Sequence, residues 1–167
     1  MTQEKFQVRF DWAHKGAAAI GAGAHVLVWC DAINTEVSVP SFDGAILVGT
    51  VGNAAQTAAW VLDLQARLGD RAYVAVVAAG TDDGRFAVED FLAAGAVIDA
   101  LATVGIDFNS PEAASACAAF EGLRGAIQHV TSASVTGQAV GSEVLAAARA
   151  LNSEPSVLVL REFTNHS

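Results

Sequence analysis

Five charged side chains crowd into nine positions of a chain that is only 16% charged: Asp82, Asp83, Arg85, Glu89 and Asp90. They lie in "VAVVAAGTDDGRFAVEDFLAAGAVIDAL", residues 74–101. An apolar run stops at Ala79-Gly80-Thr81, and the Glu89-Asp90 pair opens a helical pattern. Carboxylates suit a hard cation; magnesium takes one or two of them together with waters and phosphate oxygens. A helix start offers unpaired N–H groups to an anion, and glycine lets the backbone come close. Arg85 has a fork that fits phosphate. These parts describe metal-assisted phosphoryl chemistry. Two plainer readings stay open. Asp82 and Asp83 also fit a turn, and acids are favoured in any first helical turn. "GTDDGR" is neither a P-loop nor a GxGxxG fingerprint.

Such groups need elements to hold them. "HVLVWC", residues 25–30, is a near-continuous apolar run ending at Asp31, as expected of a strand covered on both faces. A carboxylate at the tip of a buried strand is costly unless paired. "AILVG", residues 45–49, is the next strand, and Tyr73 to Ala78 another. Gln7 to Phe10 and Val157 to Leu160 complete the strand candidates. Helical spacing predicts helices over Ala54–Leu68, Val88–Leu101, about Pro111–Gly125 and Ser142–Leu151. Asp11 is placed to cap a brief helix over Trp12–Ala19. "HVTSASVTG", residues 129–137, reads as a polar joint, and "REFTNHS" as a frayed tail.

Strand, turn and helix recur with helix-length crossovers. The fold class is therefore α/β, a single domain over residues 1–167 with a largely parallel sheet and helices on both faces. In such sheets ligands sit beyond the carboxyl ends of the strands. Asp31, the Thr50–Asn53 turn and the Gly80–Arg85 loop would then share one edge.

The 167 residues suffice for one core, and 53% are hydrophobic. The formal net charge of -9 argues against nucleic-acid binding, which needs basic surface. No stretch of about 18 uncharged apolar residues suggests a membrane span. Mean hydropathy is +0.40, carried largely by alanine, which suggests apolar surface hidden in a homo-oligomer. Cys30 and Cys117 lack CxxC spacing and read as buried reduced thiols; with no signal-peptide pattern, the expected location is cytoplasmic. His14, His25, His129 and His166 are scattered without ligand spacing. Trp12, Trp29 and Trp60 read as core or interface residues, and no hydrolase elbow surrounds Ser132 or Ser134.

The segment 74–101 resembles the signature of the 2-phosphosulpholactate phosphatases: a strand, AGT, a glycine, an aromatic residue, Glu-Asp and a later Ala-Gly. "AHVLVWCDAI" is similar to that family's strand ending in aspartate, and "FDWAHKGAAAI" to its N-terminal pattern. "ILVGTVGNAAQTAAWV" resembles the segment in which an asparagine, here Asn53, opens a helix. "GSEVLAAARALNSEPSVLVL" resembles the closing helix and strand. The resemblance implies a magnesium-dependent hydrolase that removes phosphate from a sulfonated three-carbon acid. It implies Asp31, Glu89 and Asp90 as magnesium ligands, with Asp31 and Glu89 catalytic. Gly80, Thr81, Arg85 and Asn53 would bind substrate, the first two through backbone N–H groups.

The likeness has gaps. Asn34 stands near the place of a family arginine, and a middle segment rich in anion-binding groups is missing after residue 40. Arg85 and Lys15 are the cations expected to offset the substrate. A second reading follows: a non-catalytic domain of the same family that binds a small acidic metabolite or acts as an oligomeric partner.

Overall fold

The computed structural model describes residues 2–34 and 36–165. His166 and the end of the expected frayed tail lie outside them. Five strands form one sheet: β1 (Val8–Trp12), β2 (Val26–Cys30), β3 (Ala45–Val48), β4 (Val74–Ala78) and β5 (Leu158–Arg161). Their order is β1-β4-β2-β3-β5. β1 with β4, β4 with β2, and β2 with β3 are parallel, whereas β5 closes the edge antiparallel to β3. The fold is the expected α/β class.

Alternation along each strand decides which layer it meets. Val26, Val28, Cys30, Leu47, Val74 and Val76 face the larger core. Over them lie α2 (Ala54–Leu68), α3 (Val88–Thr103) and α4 (Pro111–Leu123). Leu27, Trp29, Ile46, Ala75 and Val77 face the other side, against Ala17 and Ile20 of α1 (Ala13–Ile20). Both faces are covered, but the second has one short helix. In α3, a Cβ at Gly95 would come within 2.1 Å of the Ala116 carbonyl oxygen of α4. A glycine there is what lets the two helices touch.

Three details depart from the sequence reading. Asp11 does not cap α1; its Oδ1 accepts from the adjacent Trp12 N–H at 2.8 Å, and the chain enters the helix through Ala13 at a φ of 56°. The polar joint is helical. After a 3-10 turn at Arg124–Ala126 come α5 (Ile127–Ala133) and α6 (Val135–Ala139). Ser134 starts α6 as its cap, accepting from Gly137 N–H at 3.0 Å. The tail is ordered at its beginning. Arg161 pairs in β5 and donates to the Phe42 carbonyl, and Phe163 packs on His25 with ring centroids 5.8 Å apart. α7 (Ser142–Ser153) precedes that strand.

Candidate functional site

The parallel strands β2, β3 and β4 send their carboxyl ends to one edge, as the topology requires. Asp90, in the first turn of α3, reaches back to two of these exits. Its Oδ1 accepts from Ala32 N–H at 2.7 Å and its Oδ2 from Gly80 N–H at 2.9 Å. β2 and β4 are neighbours, with Cys30 opposite Ala78, so one carboxylate fastens two adjacent loops. Asp90 is 2% exposed. Burial, then repulsion from Asp31, push its carboxyl well above the usual range, while the two N–H groups pull the other way.

Asp31 follows β2 and is partly buried. Its Oδ1 accepts from Asn34 N–H at 3.0 Å. Burial pushes its carboxyl up to about 6, with Glu89 and Asp82 adding repulsion against the lowering effect of the Asn34 and Ile33 N–H groups. The structure thus brings Asp31, Glu89 and Asp90 into mutual electrostatic range. Their oxygens do not all converge within 4.8 Å.

Glu89 is 3% exposed, and its Oε2 is buried without a hydrogen-bond partner. Among the described residues the ion pairs are Arg67–Asp63 and Arg85–Asp83, so no Lys or Arg is bonded to Glu89, Asp31 or Asp90. A buried carboxylate without a cationic partner is costly.

Glu89 lines a cavity of about 630 Å³. Ala32, rather than Asp31 itself, is on its wall, with Val51 from the β3–α2 turn. The other walls come from the 3-10 turn, α5 and α7, and carry Arg124, His129, Arg149 and Asn152. Arg124 lies over the Phe120 ring at 5.4 Å from its centroid. The lining thus carries one carboxylate, Glu89, and two guanidinium groups, Arg124 and Arg149. Such a space can take a cation and an anion together.

The other expected residues are engaged elsewhere. Gly80 N–H already meets Asp90, and Thr81 N–H donates to the Arg85 carbonyl at 3.0 Å. Gly80 has a φ of 76°, and a Cβ there would meet the Arg85 carbonyl oxygen at 2.7 Å. The loop folds on itself. Arg85 Nε donates to Asp83 Oδ2 at 2.7 Å, and its side chain is 75% exposed. Asn53 ties β3 to α2: Oδ1 accepts from Thr50 N–H at 2.8 Å and Nδ2 donates to the Val48 carbonyl at 2.9 Å. Lys15 is exposed on α1, across the sheet from α3. Arg85 and Lys15 do not line this cavity, whereas Arg124 and Arg149 do. No spacing signal marked that pair, because their segments meet only through the tertiary fold.

Another cluster joins α3 to α4. Asp99, Cys117 and Glu121 place ligand atoms within 4.8 Å of one another, the one such group of His, Cys, Asp and Glu among the described residues. Cys117 is half-buried rather than buried, and burial followed by Glu121 and Asp99 pushes its thiol up. Its visible signal is the i, i+4 spacing of Cys117 and Glu121.

A family model described as 2-phosphosulpholactate phosphatase matches residues 37–147. Gly80, Glu89, Asp90, Arg124 and His129 fall within the match, while Asp31, Arg149 and Asn152 fall outside it. No curated protein matches the chain.

Proposed function

The chain belongs to the 2-phosphosulpholactate phosphatase family, and from that premise we propose that it is a magnesium-dependent phosphatase of a small, multiply anionic phosphoester, 2-phosphosulpholactate being the first substrate to try. The observation that carries this reading is the buried, unpartnered Oε2 of Glu89, a residue that lines a cavity together with Arg124 and Arg149.

The residues fit a hard divalent cation. Their donors are oxygens, and their charge is uncompensated by any Lys or Arg ion pair among the described residues. Glu89 and Asp31 would hold it. When bound, magnesium would supply positive charge against that developing on the phosphoryl oxygens. The rest is work for the chain. Arg124 and Arg149 offer planar forks for phosphate and for a second acidic group. Asp90 acts at one remove, holding the Asp31 and Gly80 loops in place through two backbone N–H groups. The Gly80–Arg85 loop, closed on itself, is the frame against which Asp90 is set.

A second reading has a specific observation behind it. By the resemblance Asn34 stands near the place of a family arginine, and no long segment separates Pro40 from β3. A chain so reduced would keep the cavity for binding a small acidic metabolite without turning it over. In either case we propose assembly with copies of itself in the cytoplasm, supported by exposed Leu158 and Leu160 on the edge strand and by two free thiols.

Phosphate release from 2-phosphosulpholactate tests the choice. Catalysis predicts release that needs magnesium and is lost in Glu89→Gln. Metabolite binding without release would select the second reading, and neither would reject both.

A further inference from the structure

Asn152, near the end of α7, lines the same cavity and also carries a buried oxygen without a partner. Its Nδ2 donates to the Ala32 carbonyl at 2.7 Å and to the Ala148 carbonyl at 2.7 Å. An amide has two orientations, and these two acceptors choose one. The nitrogen must face the carbonyls, so Oδ1 faces the other way and is buried without a donor. Reversing the amide would set an oxygen against two carbonyl oxygens.

The Ala32 peptide is consequently gripped from both sides. Asp90 accepts from its N–H, and Asn152 donates to its carbonyl. Ala32 adjoins Asp31, so α3 and α7 together fix the acid at the end of β2. α7 is itself pressed close, since a Cβ at Gly52 would come within 2.3 Å of the Asn152 carbonyl oxygen.

With Glu89 ionised, two orphaned acceptors, Glu89 Oε2 and Asn152 Oδ1, on residues that line one cavity cannot satisfy each other, because both are then acceptors only. A cation satisfies both, and an amide oxygen is a normal ligand for a hard divalent ion. We propose that Asn152 Oδ1 is a ligand of the divalent cation held by Glu89 and Asp31, and that the same amide positions Asp31 through Ala32. This rests on the cation reading above, and it adds a residue beyond the span of the family match.

Manganese titration followed by electron paramagnetic resonance tests it on the full chain. Asn152→Asp keeps an oxygen and loses the donors; Asn152→Leu loses both. The expected result is binding within about threefold of wild type for Asn152→Asp and at least about tenfold weaker for Asn152→Leu. Asn152→Leu with Ser153→Asp, which adds the charge of Asn152→Asp one residue away, should stay weak. Equal affinities for Asn152→Asp and Asn152→Leu, or recovery through Ser153→Asp, would show a clamp or a charge effect and overturn the ligand assignment. A wild-type protein that binds no manganese would overturn the cation reading along with it. Circular dichroism of each variant checks that it is folded, and Asn152→Ser supplies a milder truncation if Asn152→Leu is not.

Discussion

Asp90 and Glu89 are adjacent and have different tasks. Asp90 uses both oxygens on backbone donors, whereas Glu89 keeps one buried oxygen unmatched. Asp90→Ala leaves two N–H groups without their acceptor and should cost about 2–4 kcal/mol in urea unfolding. Arg85→Ala, by contrast, removes an exposed pair and should change stability by less than about 1 kcal/mol. Asp31 makes a pH prediction. Its carboxyl is raised from 3.8 to about 6, so the folded chain holds more protons than the unfolded chain between those values. Stability without metal should therefore fall as pH rises through that window. Asp90, also raised, acts with the same sign. Asp31→Asn should flatten part of the slope, as urea midpoints between pH 4 and 7 in EDTA would reveal. An unchanged slope would mean that Asp31 is not the titrating group.

Elements were legible where hydrophobic period was strong. "AAQTAAWVLDLQARL" reads as a helix from its apolar stripe, and α2 occupies those residues. The β2, β3 and β4 strands show as apolar runs because both faces are buried. α5 and α6 were missed because Ser, Thr and Val are weak helix formers. What they lack in propensity is supplied by the Ser134 cap, by α5 packing on α3 and by α6 packing on α5. Ser134→Ala should accordingly cost about 1 kcal/mol. The α3–α4 contact gives a sharper prediction. Gly95→Ala drives a methyl into a backbone carbonyl of α4 and should cost about 1–3 kcal/mol or more, read as a lowered urea midpoint.

At the scale of the molecule, the sheet edge was legible and the cavity was not. Apolar strands ending in polar turns point to one rim, and Asp31, Gly80, Glu89 and Asp90 do gather there. Arg124 and Arg149 also line the cavity, and their neighbours in sequence say nothing about sharing it with Glu89. The two faces of the sheet also differ. Val159 packs into the larger core, while Leu158 and Leu160 are 37% and 45% exposed on the side that α1 covers. If that edge joins copies of the chain, sedimentation velocity should show a dimer or larger species that Leu160→Lys shifts toward monomer. A monomer across a wide concentration range would count against assembly. Among the described residues no helix is long and apolar enough to cross a membrane.

Calorimetric titration of magnesium into wild-type protein and Glu89→Gln at pH 7.5 is the most direct test of the cation site. One saturable site in the wild type, and its loss in Glu89→Gln, is the predicted result. The same binding in both proteins, or none in either, would contradict the account.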